Sequence, residues 1–201
     1  MTSAHTFTAP KVVGLSASAT TPSRTLSLLR AGLHQLRPAA ERVTEVDVRS
    51  LPSQALLHAE VDHPLIASAL HEVHQADIVL VATPIYKAAY SGLLKVFLDL
   101  IPQQGLRGKI VLPLATGGST AHLLALDYAL KPVLSALGAR HILDVVYATD
   151  SQFESHDLLG RQPNEEVLQR LRAALAPLSE TPSGVLPLSR LRAPSPERVP
   201  C

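Results

Sequence analysis

The sequence predicts an α/β fold in which five parallel strands carry helices on both faces. Short apolar runs alternate with segments whose apolar residues recur at helical spacing, and this alternation is typical of βαβ units. The run Ile-Val-Leu-Val-Ala at residues 78–82 is short, rich in β-branched residues and free of charge, as expected for a strand buried on both faces. Five strands suit the flavodoxin-like order 2-1-3-4-5, which places a ligand site where the strand order reverses.

Five strands and five helices follow from this pattern. We predict strands at residues 11–15, 43–48, 78–82, 110–115 and 142–147. We predict helices at residues 25–36, 64–76, 93–101, 121–137 and 164–175. Ser23, Pro64, Gly138 and Asn164 stand at favourable helix ends. Pro113 is awkward in an inner strand because proline has no N–H for the ladder.

Composition indicates a single domain followed by a tail. The chain has 201 residues, of which 46% are hydrophobic, and we expect residues 1–176 to form one domain. Residues 49–63 are polar, contain Pro52 and are predicted to be a long connection. Residues 177–201 mix six prolines with serine and arginine and carry no apolar stripe, which predicts a disordered or loosely docked tail.

Charge and cysteine content exclude several classes of protein. A formal net charge of +1 and the absence of tryptophan give no signature of nucleic-acid binding. Cys201 is the single cysteine, so an intrachain disulfide and a thiolate metal site are excluded, and the histidines at 58, 63, 71 and 74 lack partners at ligand spacing. No apolar run approaches the roughly 20 residues that cross a bilayer, and the N-terminus does not read as a secretory signal. We therefore expect a cytoplasmic protein without a metal or a membrane span.

Three turns are predicted to open on the carboxyl edge of the sheet, at residues 16–25, 83–90 and 116–120. The first turn is rich in hydroxyl side chains, contains Arg24 and leads into a helix. The unpaired N–H groups and positive dipole end of that helix predict a phosphate site. The alternative is a polar loop with a capping serine.

The nature of the phosphate follows from what surrounds it. Gly14 is followed by Leu, Ser, Ala and Ser, so the dinucleotide fingerprint is absent and a mononucleotide fits better. Gly117 and Gly118 allow the backbone to approach a flat ring closely, because glycine has no Cβ. Residues 84–86, Pro-Ile-Tyr, offer an apolar wall. Together these features favour FMN.

Several motifs also carry a family resemblance. The stretches ATPIYKAAYSGLLK (82–95), LPLATGG (112–118), AHLLALDYALKPVLSALGA (121–139) and DSQ (150–152) closely resemble the NADPH-dependent FMN reductases of the flavodoxin-like superfamily. More narrowly, they resemble the reductase component of two-component alkanesulfonate monooxygenase systems. The resemblance spans about residues 11–152. It implies an enzyme that passes hydride from NADPH or NADH to FMN and releases reduced flavin to an FMNH2-dependent sulfonate monooxygenase.

The resemblance also implies roles for twelve residues, in three groups. The flavin phosphate would be held by Ser16, Ser23, Arg24 and Thr25. The ring and the ribityl chain would be contacted by Pro84, Ile85, Tyr86 and Lys87. The pyrimidine side of the ring would be approached by Thr116, Gly117, Gly118 and Ser119. No catalytic acid or base is expected, because the cofactor carries the chemistry.

Pro132 interrupts the predicted helix at 121–137. It has no N–H for the carbonyl of Tyr128 and its ring crowds that carbonyl, so either a kink or a π-bulge is expected. In the resembling reductases a tyrosine in this helix is associated with a π-bulge at the subunit interface and with flavin turnover. The resemblance therefore implies that role for Tyr128 and a homo-oligomer, a dimer or a tetramer. The alternative is a tyrosine packed on the core of a kinked helix.

Two other functions share this fold. One is a quinone, azo-dye or metal-oxyanion reductase that retains its FMN. The other is a non-enzymatic electron carrier, a class that tends to be strongly acidic and to hold FMN between aromatic faces. The near-neutral charge and the lack of tryptophan count against the carrier.

Overall fold

One parallel sheet lies at the centre of the part of the chain that the structure, a computed structural model, describes: residues 9–157 and 160–179. Its strands, with those of a short hairpin, are β1 (Lys11–Ser16), β2 (Arg42–Asp47), β3 (Ile78–Tyr86), β4 (Ala89–Tyr90), β5 (Ile110–Gly117), β6 (His141–Ile142), β7 (Val146–Thr149), β8 (Phe153–His156) and β9 (Gly160–Pro163). The α-helices are α1 (Arg24–Leu36), α2 (Ser53–Leu57), α3 (Pro64–Gln75), α4 (Gly92–Leu98), α5 (Lys131–Ala136) and α6 (Glu165–Ser179).

The predicted strand order is confirmed. The sheet runs β2-β1-β3-β5, and β6 and β7 share the far edge, so that five strand positions lie parallel in the flavodoxin-like order. The order reverses between β1 and β3, which are direct neighbours. Their carboxyl ends therefore form the edge where a ligand site is expected.

Helices cover both faces of the sheet, because alternate residues of each inner strand face opposite cores. In β3, Val79 and Val81 pack with α3, α4 and α5, whereas Leu80 packs on the other face with α1 and α6. All three side chains are fully buried. The unbroken apolar run of β3 is thus explained by its central position between two hydrophobic layers.

Pro113 is accommodated by a break in the neighbouring edge strand. The amide of Leu143 donates to the carbonyl of Val111, so β5 directs Val111 and, by alternation, Pro113 toward that edge. The edge strand is interrupted there, between β6 and β7. The missing N–H of Pro113 consequently leaves no ladder hydrogen bond unmade. The prediction of one continuous strand at residues 142–147 was therefore wrong.

The predicted turn at residues 83–90 was also wrong, because these residues form a β-hairpin. β3 continues through Pro84 to Tyr86, and β4 pairs back onto it. Lys87 and Ala88 make the turn with positive φ angles of 51° and 61°, the backbone conformation of a tight two-residue hairpin. The apolar wall is therefore carried by a regular strand rather than by a loop.

The helix predicted at 121–137 is not a continuous α-helix. A 3₁₀ turn at Thr120–His122 and a π-helix at Leu126–Leu130 precede α5. The amide of Lys131 donates five residues back, to the carbonyl of Leu126. Pro132, the next residue, has no N–H to offer Tyr128, so the wider turn resolves the conflict. Of the two outcomes that the sequence left open, the structure has the π-bulge.

Two helices and one hairpin depart from the sequence-based expectations. The connection at 49–63 contains α2, and the β8–β9 hairpin was not predicted. α6 runs past Pro177 to Ser179, so the first three residues of the predicted tail are helical. The rest of that tail, with Cys201, lies outside the described residues. Within residues 9–157 and 160–179, no helix combines the length and apolarity needed to cross a bilayer.

Candidate functional site

A cavity of about 660 Å³ opens at the carboxyl edge of the sheet, where the strand order reverses. Nine of the twelve residues with predicted roles line it: Ser23, Arg24, Thr25, Pro84, Ile85, Tyr86, Thr116, Gly117 and Gly118. All three predicted turns are represented. The sequence-based expectation that they converge is thus matched by the geometry.

The first wall is the beginning of α1. Ser23 caps the helix, and its hydroxyl accepts a hydrogen bond from the amide of Leu26 at 3.2 Å. The amides of Arg24 and Thr25 have no intrahelical acceptor at this position and are available to an anion. Ser16, by contrast, is a buried residue at the end of β1 and does not line the cavity. Ser16 was predicted to hold the flavin phosphate, but it does not lie in the cavity wall.

A buried hydroxyl pair joins the first wall to the third. The Oγ1 atoms of Thr25 and Thr116 are 2.7 Å apart, and both side chains are buried. Thr25 comes from α1 and Thr116 from β5, so this hydrogen bond fixes the helix start against the glycine turn. The main role of these two threonines is therefore to hold the two walls in position.

The second wall is the end of β3, which two buried side chains brace. The hydroxyl of Thr83 accepts from the amide of Ser91 at 2.9 Å, and the hydroxyl of Ser91 donates to the carbonyl of Ala17 at 2.7 Å. Pro84, Ile85 and Tyr86 face the cavity, with Tyr86 48% exposed. Lys87, in the hairpin turn, is exposed and does not line the cavity.

The third wall is the glycine turn after β5, held from behind by Tyr147. The phenol of Tyr147 donates to the carbonyl of Ser119 at 2.7 Å, so Ser119 supports the turn through its backbone and does not line the cavity. A Cβ on Gly117 would overlap the phenol oxygen of Tyr147, whereas one on Gly118 would meet nothing within 4 Å. Burial, and next the charge of Asp150, raise the pKa of Tyr147, which keeps the phenol a donor.

A fourth turn, after β7, brings a carboxylate to the site. Asp150 lines the cavity, and its Oδ1 lies 3.0 Å from Nη2 of Arg24. The sequence reasoning did not give Asp150 a role. The topological rule that selected the other three turns applies equally here, because Asp150 follows the last parallel strand at the same edge.

Two further arginines, Arg30 and Arg161, line the cavity. Arg30 lies on α1, and both its Nε and Nη2 donate to the carboxylate of Glu45 at 2.8 Å. Arg161, on β9, also lines the cavity. The β8–β9 hairpin is mostly exposed and carries no apolar alternation, so no sequence signal pointed to Arg161.

The π-helix lies beside the second wall. It packs against β4, and its Tyr128 is 80% exposed. Leu123 and Leu124, just before it, are 45% and 59% exposed. The alternative of a tyrosine packed on the core is therefore wrong. Nowhere in the described parts of the chain do three or more His, Cys, Asp or Glu side chains gather where they could hold a metal ion.

The donor set of this cavity fits FMN. A helix start with free amides and Arg24 offers a phosphate site at one end. At the other end, the turn at Gly117 and Gly118 lets the backbone approach a flat ring, because glycine has no Cβ, and the apolar Pro84 and Ile85 lie beside it.

Comparisons with known proteins agree with this fit. A family model described as NADPH-dependent FMN reductase matches residues 10–154. The FMN reductase (NADPH) of Escherichia coli (strain K12) is 50% identical over 142 residues, 71% of this chain and 74% of that protein. The NADH-dependent FMN reductase SfnF of Pseudomonas fluorescens (strain Pf0-1) is 37% identical over 167 residues, 82% of this chain and 87% of that protein. An apo crystal structure of an NADH:FMN oxidoreductase (EMOB) superposes with a TM-score of 0.77 at 36% identity, covering 91% of this chain and 97% of that one.

The matched residues contain the whole parallel sheet and the four turns that meet at the cavity. Of the described elements, β9, α6 and the last two residues of β8 lie beyond them. With half of the aligned residues shared with one relative, the likeness extends well past the fold. The chain is a member of the NADPH-dependent FMN reductase family and an NAD(P)H:FMN oxidoreductase.

Proposed function

We propose that the enzyme does not retain the flavin it reduces but releases it to a separate FMNH2-dependent monooxygenase that acts on sulfonates. The reduction itself follows from the family. The release and the partner go further, and the motifs at 82–95, 112–118 and 121–139 support them through their resemblance to sulfonate-system reductases.

One observation carries the release. Tyr86 is the one aromatic side chain among the described residues that line the cavity, and it is half exposed. Electron carriers of this fold tend to hold FMN between aromatic faces, and an aromatic pair contributes about 0.5–1.5 kcal/mol beyond its buried area. Here the ring would rest on one aromatic edge, Pro84 and Ile85. Such a site suits a flavin that comes and goes.

In this proposal the residues act as a binding frame. The amides at the start of α1, with Ser23 and Arg24, bind the phosphate. Pro84, Ile85 and Tyr86 contact one side of the ring, and the backbone at Gly117 and Gly118 approaches its pyrimidine edge. When bound, FMN accepts the hydride that NADPH or NADH donates. The side chains position both molecules and exclude water from the ring.

The test measures retention and transfer separately. The purified protein should be colourless after gel filtration and should oxidise NADPH or NADH only when FMN is added. A micromolar dissociation constant, which corresponds to about 8 kcal/mol, would be consistent with release. Addition of an alkanesulfonate monooxygenase with an alkanesulfonate and O2 should then couple coenzyme oxidation to the appearance of sulfite.

The opposite result is equally clear. A yellow preparation that keeps its flavin through gel filtration and reduces quinones without added FMN would show a retained cofactor. The chain would then be a quinone or azo reductase of the same fold. Matched riboflavin and FAD reactions define which flavin is preferred.

We further propose a homo-oligomer, a dimer or a tetramer, built through the π-helix. Tyr128, Leu123 and Leu124 expose apolar area next to β4, and large exposed apolar side chains in one place indicate a contact surface. We expect Tyr128→Ala to lower the oligomer mass, measured by light scattering, and to change flavin retention. Tyr128→Phe keeps the apolar area and should behave as the wild type. An unchanged mass and unchanged retention in the alanine variant would remove Tyr128 from both roles.

A further inference from the structure

We infer that Asp150 sets the affinity for the flavin phosphate by competing with it for Arg24, so that FMN is held less tightly than the rest of the site would hold it. The inference rests on the proposed function, because it takes the phosphate to lie at the start of α1. It concerns a residue to which the sequence reasoning gave no role.

The competition is visible as a direct contact. Arg24 is the first residue of α1, and its guanidinium lies 3.0 Å from the carboxylate of Asp150. Both side chains line the cavity, with 38% and 42% of their surfaces exposed. A phosphate at the helix start would seek the same guanidinium. It would also carry about −1.5 to −2 charges beside a carboxylate of like sign.

Asp150 is held at this place by its own turn. It opens a 3₁₀ turn capped by Thr149, whose amide donates to Oε1 of Gln152 at 3.0 Å. Nη2 of Arg170 donates to the same oxygen at 3.0 Å, and its Nη1 donates to the carbonyl of Tyr147 at 2.6 Å. The turn is therefore tied to α6 and to β7, so the carboxylate stays beside the phosphate site when a ligand arrives.

The other cations of the cavity show that this arrangement is specific. Arg30 is also paired with a carboxylate, but Glu45 lies on β2 and does not line the cavity. Asp150 is thus the one acidic side chain among the described residues of the cavity wall. An exposed ion pair is weak, so a phosphate can displace Asp150 from Arg24 and be displaced in turn. That balance suits a product that must leave.

The decisive variant is Asp150→Asn, which removes the charge and keeps the shape. We expect FMN to bind about threefold to tenfold more tightly and to leave more slowly, since a repulsive charge and a competitor for Arg24 are both removed. Riboflavin lacks the phosphate, so its dissociation constant should not change. Flavin fluorescence quenching measures both constants, and stopped-flow dilution measures release.

Asp99→Asn is the matched control. Asp99 forms an exposed ion pair with Lys95 outside the cavity, so the variant makes the same change in net charge and the same loss of a surface ion pair. FMN affinity should equal that of the wild type. Asp150→Ser provides a second test of the same charge should the asparagine variant fold poorly.

Three results would overturn the inference: FMN affinity that is unchanged in the Asp150 variants, affinity that falls, or tightening that is equal for riboflavin. A fall would show that Asp150 holds Arg24 in place for the phosphate. Equal tightening would show a change of cavity shape. Each of these can occur while the wild-type enzyme still releases FMN, so the inference and the proposed function fail separately.

Discussion

The two ends of the cavity are built by different means. The glycine end, formed by residues 84–86 and 116–118, is held by buried hydrogen bonds through Tyr147, Ser91 and Thr83. The arginine end is formed by Arg24, Arg30, Asp150 and Arg161, and ion pairs between partly exposed side chains hold Arg24 and Arg30. Buried hydrogen bonds fix shape, whereas exposed ion pairs yield to a competing charge.

This difference between the two ends explains how one site can select a flavin and still release it. A preformed glycine end lowers the cost of ordering the site around a ring, because its backbone is already fixed. At the arginine end, Arg24 and Arg30 already pair with carboxylates, so a phosphate that binds them must first replace these partners and gains less free energy. Substitutions should therefore change shape-dependent recognition at one end and charge-dependent affinity at the other.

The largest effect is expected at the glycine end, from Gly117→Ala. The new Cβ would overlap the phenol oxygen of Tyr147 and lie 3.0 Å from its Cζ, so the turn or the tyrosine must move. Overpacking of this kind costs about 1–3 kcal/mol of stability. If FMN binding requires the wild-type position of the turn and so bears that cost, FMN affinity should fall by about fivefold or more. Titration with FMN measures the loss.

Gly118→Ala is the matched control for that substitution, because the added Cβ meets nothing within 4 Å. Its melting temperature should stay close to wild type, and any loss of FMN affinity in this variant measures the direct approach of the ring to the glycine backbone. Equal losses in the two alanine variants would contradict a glycine end shaped by Tyr147. They would indicate that both glycines serve the flavin directly.

A smaller effect is expected from Tyr147→Phe, which removes the hydrogen bond to Ser119 and keeps the ring. The loss of one buried hydrogen bond costs about 1 kcal/mol of stability. The phenylalanine also removes the oxygen that blocks a Cβ at position 117. We therefore expect the double variant Gly117→Ala, Tyr147→Phe to bind FMN better than Gly117→Ala alone, and weaker binding by the double variant would exclude the clash as the cause.

The same hydrogen bond gives a pH dependence. The pKa of Tyr147 is raised from 10.0 by burial and by Asp150, so the folded chain holds the phenol proton more tightly than the unfolded chain. Its contribution to stability is complete below the unfolded pKa and is lost as the pH rises through the folded one. The difference in melting temperature between wild type and Tyr147→Phe should shrink as the pH rises above 10.0. A difference that does not change with pH would contradict this assignment.

The glycine end was largely predictable from the sequence, and the arginine end was not. Gly117, Gly118 and Pro84 follow apolar runs that could be placed in a parallel sheet, and the rule for the carboxyl edge of such sheets did the rest. Ser16, Lys87 and Ser119 were also predicted to contact FMN, but they do not line the cavity, because a strand end or a turn decides where each side chain lies. The π-helix was one of two outcomes that Pro132 allowed.

The charges of the arginine end depend on pairs that are distant in sequence. Arg24 meets Asp150 and Arg30 meets Glu45 only because α1 packs on the inner strands β1, β3 and β5, which lie between β2 and β7 in the sheet. No local pattern records such a pair. Arg161 stands on a hairpin whose strands are largely exposed, so neither hydrophobic periodicity nor turn chemistry marked it.

The smallest effects are expected from substitution of Arg30 and Arg161. The order of these two effects tests whether ion pairs with carboxylates limit the attraction for the phosphate. Glu45 already accepts two hydrogen bonds from Arg30, whereas none of the described residues forms an ion pair with Arg161. Arg161→Ala should therefore weaken FMN binding by about threefold to fivefold, because it removes an exposed charge-assisted contact. Arg30→Ala should weaken FMN binding by less than about twofold. Riboflavin binding should not respond to either change. A larger loss of FMN affinity in Arg30→Ala than in Arg161→Ala would contradict this order. The carboxylate partners would then not limit the attraction for the phosphate, and the two ends would differ in shape alone.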